Sequence, residues 1–456
     1  MNMKYDLVFK NGRVIDPAGS YSADVYVSGG KISAIAECGS GYEAACIVDA
    51  SGKYLFPGAV DAHMHIGEYN ADFEDMQTAT MAAAAGGITT CIDMPLNLYS
   101  SSVVNADIFR KKKQLLSEES YVDFCMWGAL VPENLDKLEE LHRAGAVSFK
   151  SFLSGGGNDF HALDAGKARE ALKIISSFGG LAGFHCEDFS IINRERQRVL
   201  DNKLDGRQAF LDSRPLSAEL IAVHMIAELA AETGARVHIC HVTHPQVAEV
   251  IRQAQNSGID ITAETCAHYL TFSQDDYLEK GCLFGCAPPL REKGAADGLW
   301  EYVDMGVIGC IASDHSPGMP ENRSDENQPT YMSGFGISGA ETMLRAVYDQ
   351  GVVKRGYSPE MIARATSETP AKRWGIYGTK GGIKLGFDAD IVVFDPEKEW
   401  KVDASKLHYK QKITCFDGLT GKGSPESVYI RGVKVCDNGV ITVDKGFGQY
   451  KGRNAE

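Results

Sequence analysis

Pro57-Gly58-Ala59-Val60-Asp61-Ala62-His63-Met64-His65 is an apolar run that ends on two histidines spaced two apart. On a β-strand residues i and i+2 share a face, so both imidazoles point the same way; in a closed parallel barrel that face is the interior. A lone histidine is more often a satisfied core residue, but a pair at strand spacing favours the ligand reading. Four further segments repeat the pattern: Phe149-Lys150-Ser151-Phe152, Phe184-His185-Cys186-Glu187, Cys240-His241-Val242-Thr243 and Ser313-Asp314-His315-Ser316-Pro317. Each has a different apolar stretch before it. Together they place ligand-type side chains at one end of a set of strands, as at the mouth of a (β/α)₈ barrel.

The surrounding chain alternates accordingly. Apolar strand candidates end near His65, Asp93, Gly128, Phe152, His185, His241, Glu264 and Asp314, with helical stretches between most of them. The clearest helix runs from an N-cap at Ser217 to Thr233 and stops at Gly234; another covers Glu74 to Ala85 and stops at Gly86-Gly87. Eight strands alternating with helices predict an α/β fold with a parallel barrel, although an open doubly wound sheet alternates in the same way. Both ends have a different texture. Tyr5–Phe9, Asp24–Val27, Lys31–Ile35 and Cys46–Val48 read as short strands separated by turn residues such as Asn11-Gly12 and Gly29-Gly30; Ala389–Asp395 and Ser427–Gly432 repeat that texture. The expected organisation is a barrel over residues 57–374 and a small β-sandwich assembled from 1–56 and 375–456.

Composition narrows the function. The chain has 456 residues, 44% of them hydrophobic, and a formal charge of −15, which argues against a nucleic-acid or anionic-membrane partner. One dense basic run, Arg110-Lys111-Lys112-Lys113, reads as a solvated helix face. No signal-peptide core and no stretch of membrane-spanning length is present, so a cytoplasmic location is expected. Twelve cysteines without a Cys-x-x-Cys pair fit buried thiols better than a disulfide framework.

Imidazoles at His63, His65, His185 and His241 suit borderline metals such as zinc, and Asp314 adds a carboxylate. For Asp314 alone, capping a turn is the default. Lys150 lies in an apolar strand where an unpaired ammonium is costly. Either its stem is buried with the head in water, or a neutral amine captures carbon dioxide and becomes an anionic carbamate ligand. Two loops at the same face are rich in breakers, Ser154–Asp159 and Ser316–Gly339. The first is either a lid or an ordinary surface loop.

These motifs resemble the cyclic amidohydrolases of the amidohydrolase superfamily: allantoinase, dihydropyrimidinase or hydantoinase, and dihydroorotase. The resemblance runs over nearly the whole chain, including Gly381-Gly382-Ile383-Lys384-Leu385-Gly386-Phe387-Asp388-Ala389-Asp390-Ile391. It implies two divalent ions, zinc with manganese, cobalt or iron as alternatives. His63, His65 and Asp314 would hold one ion, His185 and His241 the other, with Lys150 bridging as N6-carboxylysine. It also implies that the paired ions activate water for attack on a ring carbonyl, with Asp314 carrying the proton to the departing nitrogen. Glu187 and His315 are either supports for these ligands or ordinary polar residues. A homo-oligomer, often a tetramer, is implied by resemblance alone.

Within the family the allantoinase branch fits best. Ala82-Ala83-Ala84-Ala85-Gly86-Gly87-Ile88-Thr89-Thr90, Ile92-Asp93-Met94-Pro95-Leu96-Asn97, Glu264-Thr265-Cys266-Ala267-His268-Tyr269 and Cys286-Ala287-Pro288-Pro289-Leu290-Arg291 are similar to it. Gly67 stands where dihydroorotases place an arginine, and Gly155 where hydantoinases place a tyrosine. Departures from allantoinase exist too: Glu68 is kept but the following Pro-Gly-Arg and tryptophan are not, Asp188 replaces asparagine and Ala267 replaces proline. The expected reaction is allantoin to allantoate, with hydantoinase, dihydropyrimidinase and dihydroorotase chemistry as alternatives. A single-metal deaminase and a non-catalytic relative are disfavoured by Lys150 and by the complete ligand set. Asn97, Phe152, Ala287 and Gly336, the last in Gly334-Phe335-Gly336, are the expected contacts to a cyclic ureide. For Phe152, core packing is an equal reading.

Overall fold

The computed structural model describes residues 5–67, 72–96, 101–157, 159–323 and 336–453. Five strands open the chain: β1 (Tyr5–Val14), β2 (Tyr21–Ser28), β3 (Lys31–Ala36), β4 (Ala44–Asp49) and β5 (Tyr54–Pro57). Eight follow, β6 (Ala59–Met64), β7 (Ile88–Asp93), β8 (Asp123–Ala129), β9 (Ser148–Phe152), β10 (Leu181–His185), β11 (Arg236–Ile239), β12 (Ile261–Cys266) and β13 (Cys310–Ala312). The last four are β14 (Ile391–Lys401), β15 (Thr420–Ile430), β16 (Val433–Asp437) and β17 (Val440–Ile441).

Strands β6 to β13 pair in unbroken chain order, every pair parallel. The ring closes where Met64 bridges His315 and the His65 N–H donates to the His315 carbonyl at 3.0 Å. That closure decides for the barrel over the open sheet. Every residue of β6, β7 and β8 is buried, as expected of strands covered on both faces. The barrel interior is plugged by two tryptophans, Trp127 from β8 and Trp374, with ring centroids 5.6 Å apart. Trp127 donates to the Ala62 carbonyl and Trp374 to Ser148. Gly183 in β10 is required by this plug, because a Cβ there would lie 2.5 Å from the Trp127 ring. With the interior filled, the chemistry is left to the C-terminal ends of the strands.

The two chain ends build one nine-stranded mixed sheet, in which β14 pairs antiparallel with β5 and so joins the C-terminal strands to the N-terminal ones. Leu7, Phe9, Val25, Leu55, Ile391 and Tyr429 form its core. A buried ion cluster ties this sheet to the barrel: Lys380 lies 2.6 Å from Asp123 at the start of β8 and 2.7 Å from Asp390 beside β14.

Four local expectations are corrected. The long helix begins at Leu216 with Pro215 as its cap, not Ser217, because the fixed φ of proline (−66°) suits that position; Gly234 ends it in the left-handed region, as expected. The alanine-rich helix starts at Met76: Asp75 caps it by accepting from Thr78 N at 2.8 Å, and Glu74 turns towards His315 instead. Asn11-Gly12 is no turn but a bulge inside β1, with Asn11 at φ 61°. Finally, Lys112 within the basic run is fully buried, 2.7 Å from Asp93 and donating to the Met94 carbonyl at 2.9 Å. A lysine on the buried face of its helix survives there because Asp93 at the end of β7 neutralises it. Ten of the twelve cysteines are buried and none is bonded to another.

Candidate metal centre

Six of the expected residues converge at the barrel mouth. His63 ends on the inner face of β6, and His65 follows that strand. Asp314 comes two residues after β13, His185 ends β10, and His241 lies two residues after β11. His241 and Asp314 both hold positive φ, 38° and 44°, which side chains other than glycine adopt only under constraint. The constraint at Asp314 is visible. Asp61 accepts from Ser313 N at 3.0 Å and from its hydroxyl, while Ser313 Oγ accepts from His315 N at 3.0 Å. The turn therefore holds the Asp314 side chain over the barrel axis.

The ring nitrogens and the Asp314 carboxylate lie within or just beyond hydrogen-bond range of one another. His63 gives its Nδ1 proton to Glu264, which leaves Nε2 at 3.2 Å from Asp314 Oδ1; His65 Nε2 lies 3.3 Å from the same oxygen. His185 gives its Nε2 proton to Glu187 at 2.7 Å, leaving Nδ1 3.0 Å from His241 Nε2. The His63 and His241 rings, 5.4 Å apart, join the two groups. Burial drives His63, His185 and His241 below the usual imidazole range, so these rings are neutral at neutral pH. Burial also pushes the Asp314 carboxyl up, but His63 and His65 outweigh it and hold it as a carboxylate. Neutral imidazoles and a carboxylate gathered this closely can turn their lone pairs on a common cation. His63, His65 and Asp314 have the separations of a metal-holding group.

Lys150 in β9 completes the set. It is fully buried, its Nζ has no hydrogen-bond partner among the described residues, and it lies 4.9 Å from the Phe152 ring centroid. It lies near enough to His63, His185 and His241 for its charge to disfavour protonation of each. The reading in which its head reaches water is excluded by that burial.

Supporting residues divide into foreseen and unforeseen. Glu187 carries His185 and also receives Arg214; burial pushes its carboxyl up, yet Arg214 and His185 hold it at about 2. His315 does not face the cavity: its Nε2 meets Glu74 and its Nδ1 accepts from Gly339 N at 3.2 Å, so it fixes the chain after β13. Glu264 was not foreseen as a support. It accepts hydrogen bonds from both His63 and His238, the latter at 3.1 Å. The signal was a carboxylate inside the apolar strand Ile261-Thr262-Ala263-Glu264, which only a buried partner explains. His268 was also missed: both its ring nitrogens are buried without partners, and with Cys266 and Asp314 it forms another group of metal-holding separations.

A cavity of about 470 Å³ opens above these residues, within the range that holds a small ring. His63, His65, His185, His241 and Asp314 form its floor, while Phe152, Ala287 and Gly336 stand in its wall. Gly155-Gly156-Gly157 lines it as well. Asn97 lies outside the described residues, as do Glu68, Gly334 and Phe335; Leu96, next to Asn97, does line the cavity. No helix among the described residues is long and apolar enough to cross a membrane.

Comparison with known proteins agrees with this geometry. The model of the amidohydrolase family matches residues 182–435. An allantoinase of Bacillus velezensis is 35% identical, with 98% of each chain covered, and an L-hydantoinase of Paenarthrobacter aurescens is 33% identical, again over 98% of each. The solved L-hydantoinase (dihydropyrimidinase) from Arthrobacter aurescens superimposes with a TM-score of 0.95 at 33% identity, covering 98% of this chain and 100% of that one. With a matching barrel, metal-type side chains gathered at its mouth and relatives similar from end to end, the chain belongs to the amidohydrolase family and is a cyclic amidohydrolase.

Proposed function

We propose that the protein opens a cyclic ureide by hydrolysing a ring amide, with allantoin as substrate and allantoate as product. The observation that carries the reaction is Lys150, a buried amine with no hydrogen-bond partner among the described residues, close to three neutral imidazoles. A carbamate formed by addition of Nζ to carbon dioxide, with loss of one proton, supplies the anion this arrangement lacks. His63, His65 and Asp314 would hold one divalent ion, His185 and His241 a second, with carboxylated Lys150 shared between them. Zinc suits the imidazole-rich set; manganese, cobalt and iron suit it less well. When bound, such ions lower the pKa of water and polarise a carbonyl oxygen.

The residues of the chain would do the rest. Phe152 and the backbone around Ala287 and Gly336 would hold the flat ring with its scissile carbonyl over the floor. Asp314, anionic and aimed across the floor, would accept the proton of the attacking water. As the carbon–nitrogen bond breaks, it would return that proton to the ring nitrogen, giving a ureido acid. The proposal also divides the chain into a barrel of residues 57–374 and a sandwich of 1–56 with 375–456. It places the enzyme in the cytoplasm, as a homo-oligomer on the tetrameric pattern of its family.

A second reading, hydantoin opening, is favoured by the likeness to the solved L-hydantoinase at a TM-score of 0.95. One assay decides between them: ring-opened ureido acid is measured for allantoin, hydantoin and dihydrouracil. Allantoin is expected to be turned over best, and negligible activity on it beside hydantoin would overturn the substrate. Lys150→Ala is expected to abolish turnover and leave fewer than about two metal ions per chain, with partial recovery in short carboxylic acids. Full activity in that variant would remove the carbamate from the proposal.

A further inference from the structure

Two guanidinium groups stand in the wall of the cavity, Arg214 and Arg323. They differ in how their charge is met. Arg214 is paired with the buried carboxylate of Glu187, so its charge is spent on the His185 support. Arg323 is 7% exposed and has no carboxylate partner among the described residues. Its contacts are two carbonyls at the edge of hydrogen-bond range, Gly285 O and Ser316 O, both at 3.4 Å. The groups that oppose its charge are the thiols of Cys286, Cys282 and Cys415, and burial lowers the guanidinium to about 10. The Cys286 thiol is pushed up to about 12 by burial, so it supplies no countercharge at neutral pH.

Burying a guanidinium without an anion is costly, and cavities that do so commonly receive the missing acceptor from a ligand. The local backbone is shaped for this. A Cβ on Gly318 would lie 2.6 Å from Arg323 Nε and 2.9 Å from its Nη2, so only glycine lets the fork lie against the chain there. Gly336, at φ 128°, donates to the same Gly285 carbonyl at 3.1 Å, and a Cβ there would lie 2.4 Å from Ser316 Oγ. Both glycines line the cavity, Gly318 making room for the guanidinium and Gly336 for the Ser316 side chain beside it.

We propose that Arg323 is the specificity-determining anchor for a planar oxygen-bearing substituent on the ring carbon that is not attacked, a carboxylate or a ureido carbonyl. This rests on the cyclic-ureide reading and narrows it: the preferred substrates are substituted rings, and the bare ring is a poor one. The fork donates to the substituent oxygens, while the scissile amide sits over Asp314 on the floor. No bond is made or broken at Arg323. Its contribution falls on KM for substituted rings and on the choice among rings.

The test compares wild type, Arg323→Met and Arg323→Lys on hydantoin, allantoin and 5-carboxymethylhydantoin, with metal content and thermal midpoint recorded for each. For wild type, KM for at least one substituted ring is expected to be about tenfold or more below that for hydantoin. Arg323→Met is expected to erase that preference through KM, and Arg323→Lys to restore part of it. The ring that loses most identifies the group: 5-carboxymethylhydantoin for a carboxylate, allantoin for a neutral ureido carbonyl. Equal losses on all three rings overturn the anchor. So does a wild type with equal KM values, a measurement that stands even if the methionine variant does not fold. A wild type that opens none of the three overturns the cyclic-ureide reading itself, and the anchor falls with it.

Discussion

Glu264 illustrates what a single residue contributes. Its two oxygens accept hydrogen bonds from His63 and His238, and His238 in turn meets Thr262 through Nδ1 at 2.8 Å. Burial pushes the Glu264 carboxyl up, but His63 and His238 more than reverse this, so it stays anionic and fixes which nitrogen of His63 faces Asp314. Supports of this kind typically govern metal affinity by 10–100-fold, roughly, when removed. Glu264→Gln is therefore expected to weaken metal retention by about that factor in chelator competition, with lower activity that excess metal restores. Unchanged retention would remove Glu264 from the metal support. The histidines were legible in the sequence because i, i+2 spacing on a strand is a geometric signal. Glu264 and Arg323 were not, since each owes its meaning to a partner, or to the lack of one, far away in the chain. Lys112 misled for the same reason: its charge suggested solvent, and Asp93 on a neighbouring strand cancels it.

At the level of elements, the joint between β8 and the composite sheet is held by a cluster of buried charges. Asp123 at the head of β8 receives Lys380 at 2.6 Å and also Arg431; Asp388 receives Lys380 at 3.1 Å and Lys31 at 3.0 Å. Burial pushes the Asp388 carboxyl up, but Lys380, Lys31 and Lys451 outweigh it and hold it at about 2, below its ordinary 3.8. Between those values the unfolded chain binds a proton that the folded chain refuses, so stability rises with pH through that window. The contribution is full above about pH 4 and lost as pH falls towards 2. Asp388→Asn should thus show a lower urea midpoint than wild type above about pH 4, with the difference closing at more acid pH. A difference that does not change with pH would mean that the charge of Asp388 contributes nothing. Strand positions here were readable from alternation and turn residues, but Asn11-Gly12 was not. The same dipeptide serves as a turn or a bulge, and pairing with β2 on both sides of it makes it a bulge.

For the whole molecule, the alternating strands and helices were readable, but closure was not, because the bridge between Met64 and His315 joins residues 251 positions apart. The same long range determines how the molecule should unfold. β5 lies in the composite sheet beside β14, and after a single intervening residue, Gly58, β6 begins and carries His63. Losing the sheet would therefore pull on the strand that holds a proposed ligand. The helix Met343–Tyr348 adds a second tie, since Tyr348 packs on Phe56 of β5 and Phe394 of β14 at centroid distances of 6.4 and 4.7 Å. Lys380 adds a third. With three buried ties, sheet and barrel are expected to melt in one calorimetric transition. Removing Lys380 takes from Asp390 its paired cation, while Asp123 keeps Arg431; a broken buried pair costs about 3–5 kcal/mol, so Lys380→Met should lower that transition without splitting it. Stripping the metals should lower it as well, by linkage, since the unfolded chain has no assembled site: at a thousandfold excess over the dissociation constant the bound ion contributes roughly 4 kcal/mol. Two separated transitions in the metal-loaded protein, only the later one sensitive to chelator, would mean that sheet and barrel unfold independently and that the ties carry no cooperativity.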